Sequence, residues 1–333
     1  MVTNNRIEWI DSLKGFAIFL VVMGHLIQMR WWPDGEIIKE YIYSFHMPLF
    51  MLISGFFARK GTELISLQEI RMYIRRKAFQ LLIPFTIFGF FFLIVHRLTN
   101  IWKDYILLGG REYWFLWVLF QFFVWVTLCS FLYNKLVKKY QIPSWGIWIW
   151  LLIPLSVMQQ SSGIFTSILS QNNFIHNYPF FISGIALSRY SVLMKVAINK
   201  RIGVVSLCGY LLLMSLSPFP GIEYLRAICV IQLLISVFQS SIHFRPLKTV
   251  GYYSLEIYLM HYYLCYLIPY STFNSLKNIY NNLNIHIYRG GYITDIQIIT
   301  PIILYFTLIC AICIFTAKMA QKNSLIRKYC FGK

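Results

Sequence analysis

The sequence predicts an all-α fold: a polytopic membrane helix bundle of about ten transmembrane helices, with both termini in the cytoplasm. Composition is the first support. Hydrophobic residues make up 58% of the 333 residues and charged residues only 13%, whereas a soluble globular domain is about a quarter charged. Long apolar stretches and an uneven distribution of basic residues between the connecting segments are the second and third.

Ten hydrophobic segments account for the predicted spans, since a helix needs about 20 mostly apolar residues to cross the hydrocarbon core. Their approximate bounds are 12–30, 41–58, 80–98, 113–133, 145–159, 174–190, 202–217, 223–241, 250–270 and 298–317. The fifth is short and contains Pro154, which makes it the least regular. No small-residue cleavage site follows the first segment, so we expect it to be a span rather than a signal peptide.

The basic residues test this topology independently. If both termini are cytoplasmic, the inner segments carry 22 of the 30 Lys and Arg residues and the outer segments carry 8. Cytoplasmic loops of membrane proteins are enriched in Lys and Arg. Most of the basic residues behind the net charge of +18 therefore lie in cytoplasmic loops. Because topology explains this charge, we expect membrane lipids as partners and do not expect a nucleic acid.

We expect one integral-membrane domain covering 1–333, without a separate soluble domain. The longest stretches outside the hydrophobic segments are the basic connector 59–79 and the Asn-rich segment 271–297. Neither is large enough to bury a core of its own. Any chemistry must therefore lie within the helix bundle or at its mouths.

The stretch 11–26, which opens the first segment, carries three ionisable residues, Asp11, Lys14 and His25. Eleven residues turn a helix through about three full turns, so Lys14 and His25 share one face, about 16 Å apart along the axis. Ionisable groups inside a membrane are costly and often mark a functional site. A purely structural alternative is open: Lys14 extends to the surface and pairs with Asp11, while His25 hydrogen-bonds a neighbour.

Two further histidines are predicted at a similar depth in the membrane. Counting along the second and ninth segments places His46 and His261 near the level of His25. Glu256 lies five residues before His261, on a different face of its helix, and either a catalytic role or an ion pair is open for it. The three histidines come from separate helices without a carboxylate at their level, so we do not expect a metal site.

The basic connector contains six cations just before the sequence "LLIPF": Arg59, Lys60, Arg71, Arg75, Arg76 and Lys77. Such a cluster can lie against anionic lipid headgroups or bind the phosphates of a nucleotide-like ligand. The sequence contains no phosphate-binding G-x-x-x-x-G-K-[ST], no G-x-S-x-G and no H-E-x-x-H, so it lacks the common motifs of soluble NTPases, serine hydrolases and zinc proteases.

Five stretches resemble integral-membrane acyltransferase family 3, in particular members similar to fucose 4-O-acetylases and polysaccharide O-acetyltransferases. They are "IDSLKGFAIFLVVMGH" (10–25), "FHMPLFMLISGFF" (45–57), the basic run into "LLIPF" (81–85), "YWFLWVLF" (113–120) and "GYYSLEIYLMH" (251–261). The first two and the last are specific in combination, and the resemblance covers nearly the whole chain.

This resemblance implies about ten spans, cytoplasmic acetyl-CoA as the acyl donor and transfer to a glycan hydroxyl, in the bacterial cytoplasmic (inner) membrane. It also implies that His25 is essential, because it matches the family's first-helix histidine. Lys14 fills a position that is usually arginine in the family. It keeps the charge but not the two-pronged hydrogen bonding. The family has a pair of basic residues before Leu-Leu-x-Pro. In this sequence the pair aligns with Lys77 and Gln80, so the second position departs from the family pattern.

The resulting hypothesis is an O-acetyltransferase in which His25 is the general base, assisted by Lys14 and Glu256. Asp11, Lys14, Arg75, Arg76 and Lys77 are the candidate donor-binding residues. His46, Trp114 and His261 are candidates for binding the acceptor, a glycan or lipid-linked sugar. A covalent acetyl-imidazole intermediate stays open, as does another short acyl donor. The alternative class is a transporter or flippase for a glycan or its lipid-linked precursor.

Overall fold

A computed structural model of the protein describes residues 7–28, 36–95, 113–141, 143–217, 219–241, 245–267, 294–324, 326 and 331. Within these ranges every regular element is a helix, which confirms the all-α prediction there. The α-helices are α1 (Glu8–Gln28), α2 (Glu36–Phe56), α3 (Leu67–Val95), α4 (Trp114–Tyr140), α5 (Ile147–Trp150), α6 (Ile153–Gln159), α7 (Ile164–Ile168), α8 (Gln171–Arg189), α9 (Ser191–Ala197), α10 (Lys200–Ser215), α11 (Ile222–Ser241), α12 (Arg245–Tyr252), α13 (Ser254–Leu267) and α14 (Thr294–Gln321).

Five of these helices are long and apolar enough to cross a membrane: α1, α3, α4, α11 and α14. The pair α8 and α9 also meets the requirement, but the two helices are bent by 110° relative to each other, so the described residues contain up to six spans. α10 has only 16 residues and falls short in length. The predicted total of ten spans stays a prediction.

Two predicted segments are interrupted in the structure. Segment 145–159 forms α5 and α6, separated by a turn after Trp150. Pro154 explains the interruption, because its nitrogen carries no hydrogen to donate to the carbonyl of Trp150. Proline instead occupies the first turn of α6, where that hydrogen is not needed. Segment 250–270 is divided between α12 and α13 at Tyr253.

The chain forms two compact units, and the division falls within α2. Unit 1 comprises Met1–His46 and Lys200–Ala320, and unit 2 comprises Met47–Asn199 and Gln321–Lys333. In unit 1, α1 is the central helix and packs against α11, α12 and α13, while α10 packs against α11. Most of the apolar side chains of α1 are fully buried.

Glycine brings α1 and α12 into backbone contact. A Cβ atom on Gly15 would overlap the backbone carbonyl of Leu247, and one on Gly251 would overlap the carbonyl of Asp11. Small residues at such positions allow membrane helices to approach closely. At the adjoining end, Lys248 Nζ of α12 lies 2.8 Å from Glu8 Oε1 of α1.

Unit 2 is built on the pair α3 and α4, with α8 packed against α4. Aromatic rings fill its interior. The ring of Phe122 lies 4.9 Å from that of Phe174 and 5.2 Å from that of Phe181, measured between centroids. Glycine again permits close packing, because a Cβ on Gly55 of α2 would overlap the carbonyl of Phe181 in α8.

Many large apolar side chains face outward, as expected where a helix contacts lipid rather than water. Val204, Val205, Leu211 and Leu212 of α10 are all at least 60% exposed. Lipid tails, which are as apolar as these side chains, would cover this surface in a bilayer.

The α1–α12 contact leads to a stability prediction. We expect Gly15→Ala to lower the free energy of unfolding by about 1–3 kcal/mol, because the added methyl group forces two backbones apart. Gly209→Ala in α10 is the matched control, since its Cβ would lie at an ordinary 3.6 Å from Cys229 Sγ. Thermal unfolding of the purified protein in detergent measures both. Equal melting temperatures for the two variants would contradict the packing described here.

Candidate active site

Three histidines from three helices come together in unit 1. His25 lies in the last turn of α1, His46 in the middle of α2 and His261 in the middle of α13. The ring centroids of His25 and His261 are 5.3 Å apart. Tyr43 links His25 to His46, because its ring centroid lies 6.4 Å from that of His25 and 5.0 Å from that of His46. With Tyr262, 5.5 Å from His25, these residues form the histidine cluster.

Backbone carbonyls orient two of the three rings. Nδ1 of His46 lies 2.6 Å from the carbonyl oxygen of Ile42, and Nδ1 of His261 lies 2.9 Å and 2.8 Å from those of Ile257 and Tyr258. A carbonyl oxygen only accepts hydrogen bonds, so Nδ1 carries the hydrogen in both rings and Nε2 carries the lone pair. Nε2 of His261 is buried without a hydrogen-bond partner.

His25 is oriented differently from the other two. Its Nδ1 is buried without a hydrogen-bond partner, and the side chain of Gln28, one turn later in α1, hydrogen-bonds the ring. Gln28 also accepts a hydrogen bond from α2, because the Tyr43 hydroxyl donates to Gln28 Oε1 at 3.0 Å. A Cβ on Gly24 would lie only 2.7 Å from Cε2 of Tyr43, so glycine makes room for this ring against α1.

Sequence reasoning missed Gln28 and Tyr43, although a spacing signal was present. Gln28 follows His25 by three residues, and Tyr43 precedes His46 by three residues. Residues three apart are neighbours on a helix surface. Polar residues at this spacing from each histidine were therefore candidates for contact with the rings.

The ionisable residues at the start of α1 form a separate group. Lys14 Nζ lies 3.7 Å from Asp11 Oδ1, and both side chains are partly buried. This is the ion pair that the structural alternative predicted. Lys14 is eleven residues before His25, or about 16 Å along the helix axis. The structure therefore pairs Asp11 and Lys14 with each other and does not bring them into the histidine cluster.

Glu256 is fully buried in the first turn of α13. An acidic side chain in that turn interacts favourably with the positive end of the helix dipole. Its distance of five residues from His261 places the two on different sides of α13. Among the described residues, no three His, Cys, Asp or Glu side chains are arranged to hold a metal ion.

Unit 2 contains a cavity of about 410 Å³ beside the predicted basic connector. We call it the basic cavity. Its lining comprises Phe57, Lys60, Leu64, Glu69, Met72, Tyr73, Arg76 and Lys77. Arg76 and Lys77 of the predicted donor-binding set therefore line one cavity. Lys60 is a third cation in the same lining. Arg75 is not among the lining residues, and its guanidinium lies 6.0 Å from the ring of Phe79.

The charge of the basic cavity is predominantly positive. Its one carboxylate is engaged by the backbone, because Glu69 Oε2 accepts hydrogen bonds from the amides of Ile65 and Ser66 at 3.0 Å and 3.1 Å. This arrangement caps the start of α3. Lys77 is held by aromatic rings, with Nζ 4.0 Å from the centroid of Phe123 and 5.6 Å from that of Tyr73.

Trp114, the third predicted acceptor-binding residue, belongs to unit 2, whereas the histidines belong to unit 1. It is the first residue of α4 and is partly buried, and its ring centroid lies 6.4 Å from that of Phe115. Trp117 and Gln121, further along α4, anchor the end of α7 by donating hydrogen bonds to the carbonyls of Ile168 and Leu169 at 2.8 Å and 3.1 Å.

Two curated relatives share part of the sequence. The nodulation protein NolL of Sinorhizobium fredii (strain NBRC 101917 / NGR234) is 33% identical over 195 residues, which is 54% of this chain and 48% of the relative. The NolL protein of Mesorhizobium japonicum (strain LMG 29417 / CECT 9101 / MAFF 303099) is 28% identical over 195 residues, 55% of this chain and 48% of the relative. The chain thus spans about half the length of the curated relatives it matches.

No solved structure matches the chain. The model of acyltransferase family 3, described as an acyltransferase domain, matches residues 7–318. This match covers nearly the whole sequence and confirms the resemblance seen in its motifs. Together with the long apolar helices, it establishes that the protein is a multi-pass membrane protein belonging to acyltransferase family 3.

Proposed function

We propose that the protein is an O-acetyltransferase that moves an acetyl group from acetyl-CoA to a hydroxyl of a cell-surface glycan or its lipid-linked precursor. Membership of acyltransferase family 3 supports the reaction class. The observation that carries the assignment of the base is His25 Nδ1, which is buried without a hydrogen-bond partner inside the histidine cluster. Such a nitrogen has its lone pair available to a hydroxyl that enters the cluster.

The reaction transfers one proton and exchanges one bond. His25 removes the hydrogen of the acceptor hydroxyl as that oxygen attacks the thioester carbonyl carbon, so a C–O bond forms and the C–S bond breaks. The proton on His25 then passes to the departing thiolate, which restores the neutral ring. Imidazole suits this role near neutral pH. An acetyl-imidazole intermediate on His25 is the covalent route to the same products.

The basic cavity is the proposed binding site for the phosphates of the donor. Lys60, Arg76 and Lys77 supply positive charge there, and charge-assisted hydrogen bonds to phosphate are among the strongest in proteins. Tyr73 and Phe57 add aromatic surface that suits the nucleotide base. Arg75 remains a candidate, but Arg76 and Lys77 are the stronger ones because they line the cavity.

Six predicted residues keep candidate roles: Lys14, Asp11, Glu256, His46, His261 and Trp114. Lys14 and Asp11 neutralise each other's charge in part, so a role of Lys14 on the donor requires that pair to open. Glu256 is buried in α13, where it supports the helix that carries His261. His46 and His261 present fixed Nε2 lone pairs that can accept hydrogen bonds from a sugar. With Trp114 they remain the proposed acceptor-binding residues.

We predict that His25→Ala lowers acetyl transfer by about 10²- to 10⁴-fold, the usual range for loss of a general base. The assay follows labelled acetyl-CoA and the native glycan in isolated membranes, with rates normalised to the amount of protein. His176→Ala is the control, because it removes another histidine, from α8 of unit 2. A near wild-type rate for His25→Ala would refute the catalytic assignment.

The same assay addresses the alternative class. A glycan transporter or flippase would show no dependence on acyl-CoA and no transfer of label in any variant. Comparing the O-acetyl content of the cell-surface glycan by NMR, with and without the protein, tests the proposed acceptor directly. Replacing acetyl-CoA by a succinyl donor tests the choice of acyl group.

We predict that Arg76→Ala and Lys77→Ala each raise KM for acetyl-CoA roughly tenfold, because each loses a charged hydrogen bond worth about 1.5–3 kcal/mol. KM for the glycan should stay within about twofold. Lys135→Ala, which removes an exposed cation from α4, is the control for a general loss of positive charge. Equal effects of all three variants on KM would reject the basic cavity as the donor site.

We further propose ten spans, both termini in the cytoplasm and residence in the bacterial cytoplasmic membrane, on the distribution of basic residues. A single cysteine at Ser162 should then react with an impermeant maleimide in intact cells. One at Lys195 should react only after permeabilisation. Both positions are exposed in unit 2, and the native cysteines are replaced beforehand. The reverse labelling pattern would overturn this topology.

A further inference from the structure

The three histidines of the cluster differ in what orients them. His46 and His261 donate Nδ1–H to carbonyls of their own helices. His25 takes its orientation from a side chain, Gln28. A backbone carbonyl orients a ring as a by-product of helix formation, whereas a side chain must be supplied by the sequence at that position. His25 is therefore the one ring of the three whose orientation depends on a single replaceable residue.

The hydrogen-bonding nitrogen of His25 follows from the contacts. Nδ1 has no partner, so the nitrogen that faces Gln28 is Nε2. Gln28 Oε1 already accepts the hydrogen of the Tyr43 hydroxyl at 3.0 Å, and a carbonyl oxygen has a second lone pair for another donor. Nε2–H of His25 is the matching donor. This leaves the ring as the tautomer with its lone pair on Nδ1.

Tyr43 holds the amide of Gln28 in place. Its ring lies against α1 at Gly24, meets the His25 ring at a steep angle of 77° and packs against His46 at 5.0 Å. Rotation of Gln28 would break the bond from the Tyr43 hydroxyl. Packing on one side and a hydrogen bond on the other thus keep Oε1 directed at His25.

We propose that Gln28, held by Tyr43, is a positioning residue that fixes His25 in the tautomer with Nδ1 as its basic nitrogen. This inference rests on the proposed function and deepens it by naming the reacting atom. The hydroxyl hydrogen of the acceptor moves to Nδ1 while Nε2–H stays bonded to Gln28. The proton on Nδ1 then leaves to the thiolate sulfur. During the cationic interval the amide oxygen stabilises the ring, in the way that an orienting group supports the base of a catalytic triad.

The test uses four variants in the labelled acetyl-CoA assay: Gln28→Leu, Gln28→Glu, Tyr43→Phe and Tyr41→Phe. Gln28→Leu removes the acceptor oxygen and should lower kcat by about tenfold or more, with KM for both substrates within about twofold. Gln28→Glu keeps an oxygen acceptor and should retain most of the kcat that the leucine variant loses. Tyr43→Phe leaves Gln28 unanchored and should lower kcat by roughly three- to tenfold.

Tyr41→Phe is the matched control, because it removes a hydroxyl from a neighbouring exposed tyrosine of α2. It should leave both kcat and KM unchanged. Thermal unfolding in detergent accompanies each assay. A purely structural role would lower the melting temperature of the leucine and glutamate variants alike and would not separate their kcat values. Should Gln28→Leu fail to fold, Tyr43→Phe and Gln28→Glu still decide the question.

The two levels of the hypothesis fail in distinguishable ways. Normal kcat in Gln28→Leu, or equal losses in the leucine and glutamate variants, overturns the positioning role while leaving the acetyltransferase intact. Absence of label transfer by the wild-type protein, or full activity of His25→Ala, overturns the proposed function and this inference with it.

Discussion

The backbone contact between α1 and α12 is the constraint on which unit 1 depends. Gly15 and Gly251 remove the two side chains that would otherwise separate the helices, and Lys248 pairs with Glu8 beside them. Because α1 also packs against α13, its rotation about its own axis is set by this contact. That rotation decides that His25, three turns beyond Lys14, faces the ring of His261 rather than lipid.

In the histidine cluster, most of the polar ring atoms with partners hydrogen-bond groups of the helix that carries the ring. An unsatisfied polar group inside hydrocarbon costs several kcal/mol, and the rings of His46 and His261 avoid part of this cost through backbone carbonyls. Two nitrogens are left without partners, Nδ1 of His25 and Nε2 of His261. If the protein binds a sugar as proposed, these are the atoms to which its hydroxyl groups can donate.

Much of this arrangement could be predicted from the sequence, and the remainder could not for identifiable reasons. Apolar length predicted α1, α3, α4, α11 and α14, because hydrocarbon selects strongly for such runs. Counting residues along helices also predicted the common level of the three histidines. Pro154 was visible, but its effect on segment 145–159 depends on local hydrogen bonding. No proline marks the interruption at Tyr253.

The finer features of the two sites depend on the three-dimensional fold. Arg75, Arg76 and Lys77 are consecutive, and neighbours on a helix point about 100° apart. Composition therefore could not tell which of them line the basic cavity. Gln28 lies at the end of a predicted span and Tyr43 near the start of another, positions where polar and aromatic residues are common at membrane interfaces. Their bond across two helices became visible only in the fold.

The hydrogen bonds from Nδ1 of His46 and His261 to backbone carbonyls also affect whether these rings can be acylated. A neutral N-acylated imidazole carries a bare second nitrogen, and in these rings that nitrogen would have to be Nδ1, facing the oxygen of Ile42 or Ile257. Two lone pairs would then repel each other, so the adduct could persist only as a cation, which hydrolyses readily. The backbone carbonyls thereby disfavour acylation of these two proposed acceptor-binding rings.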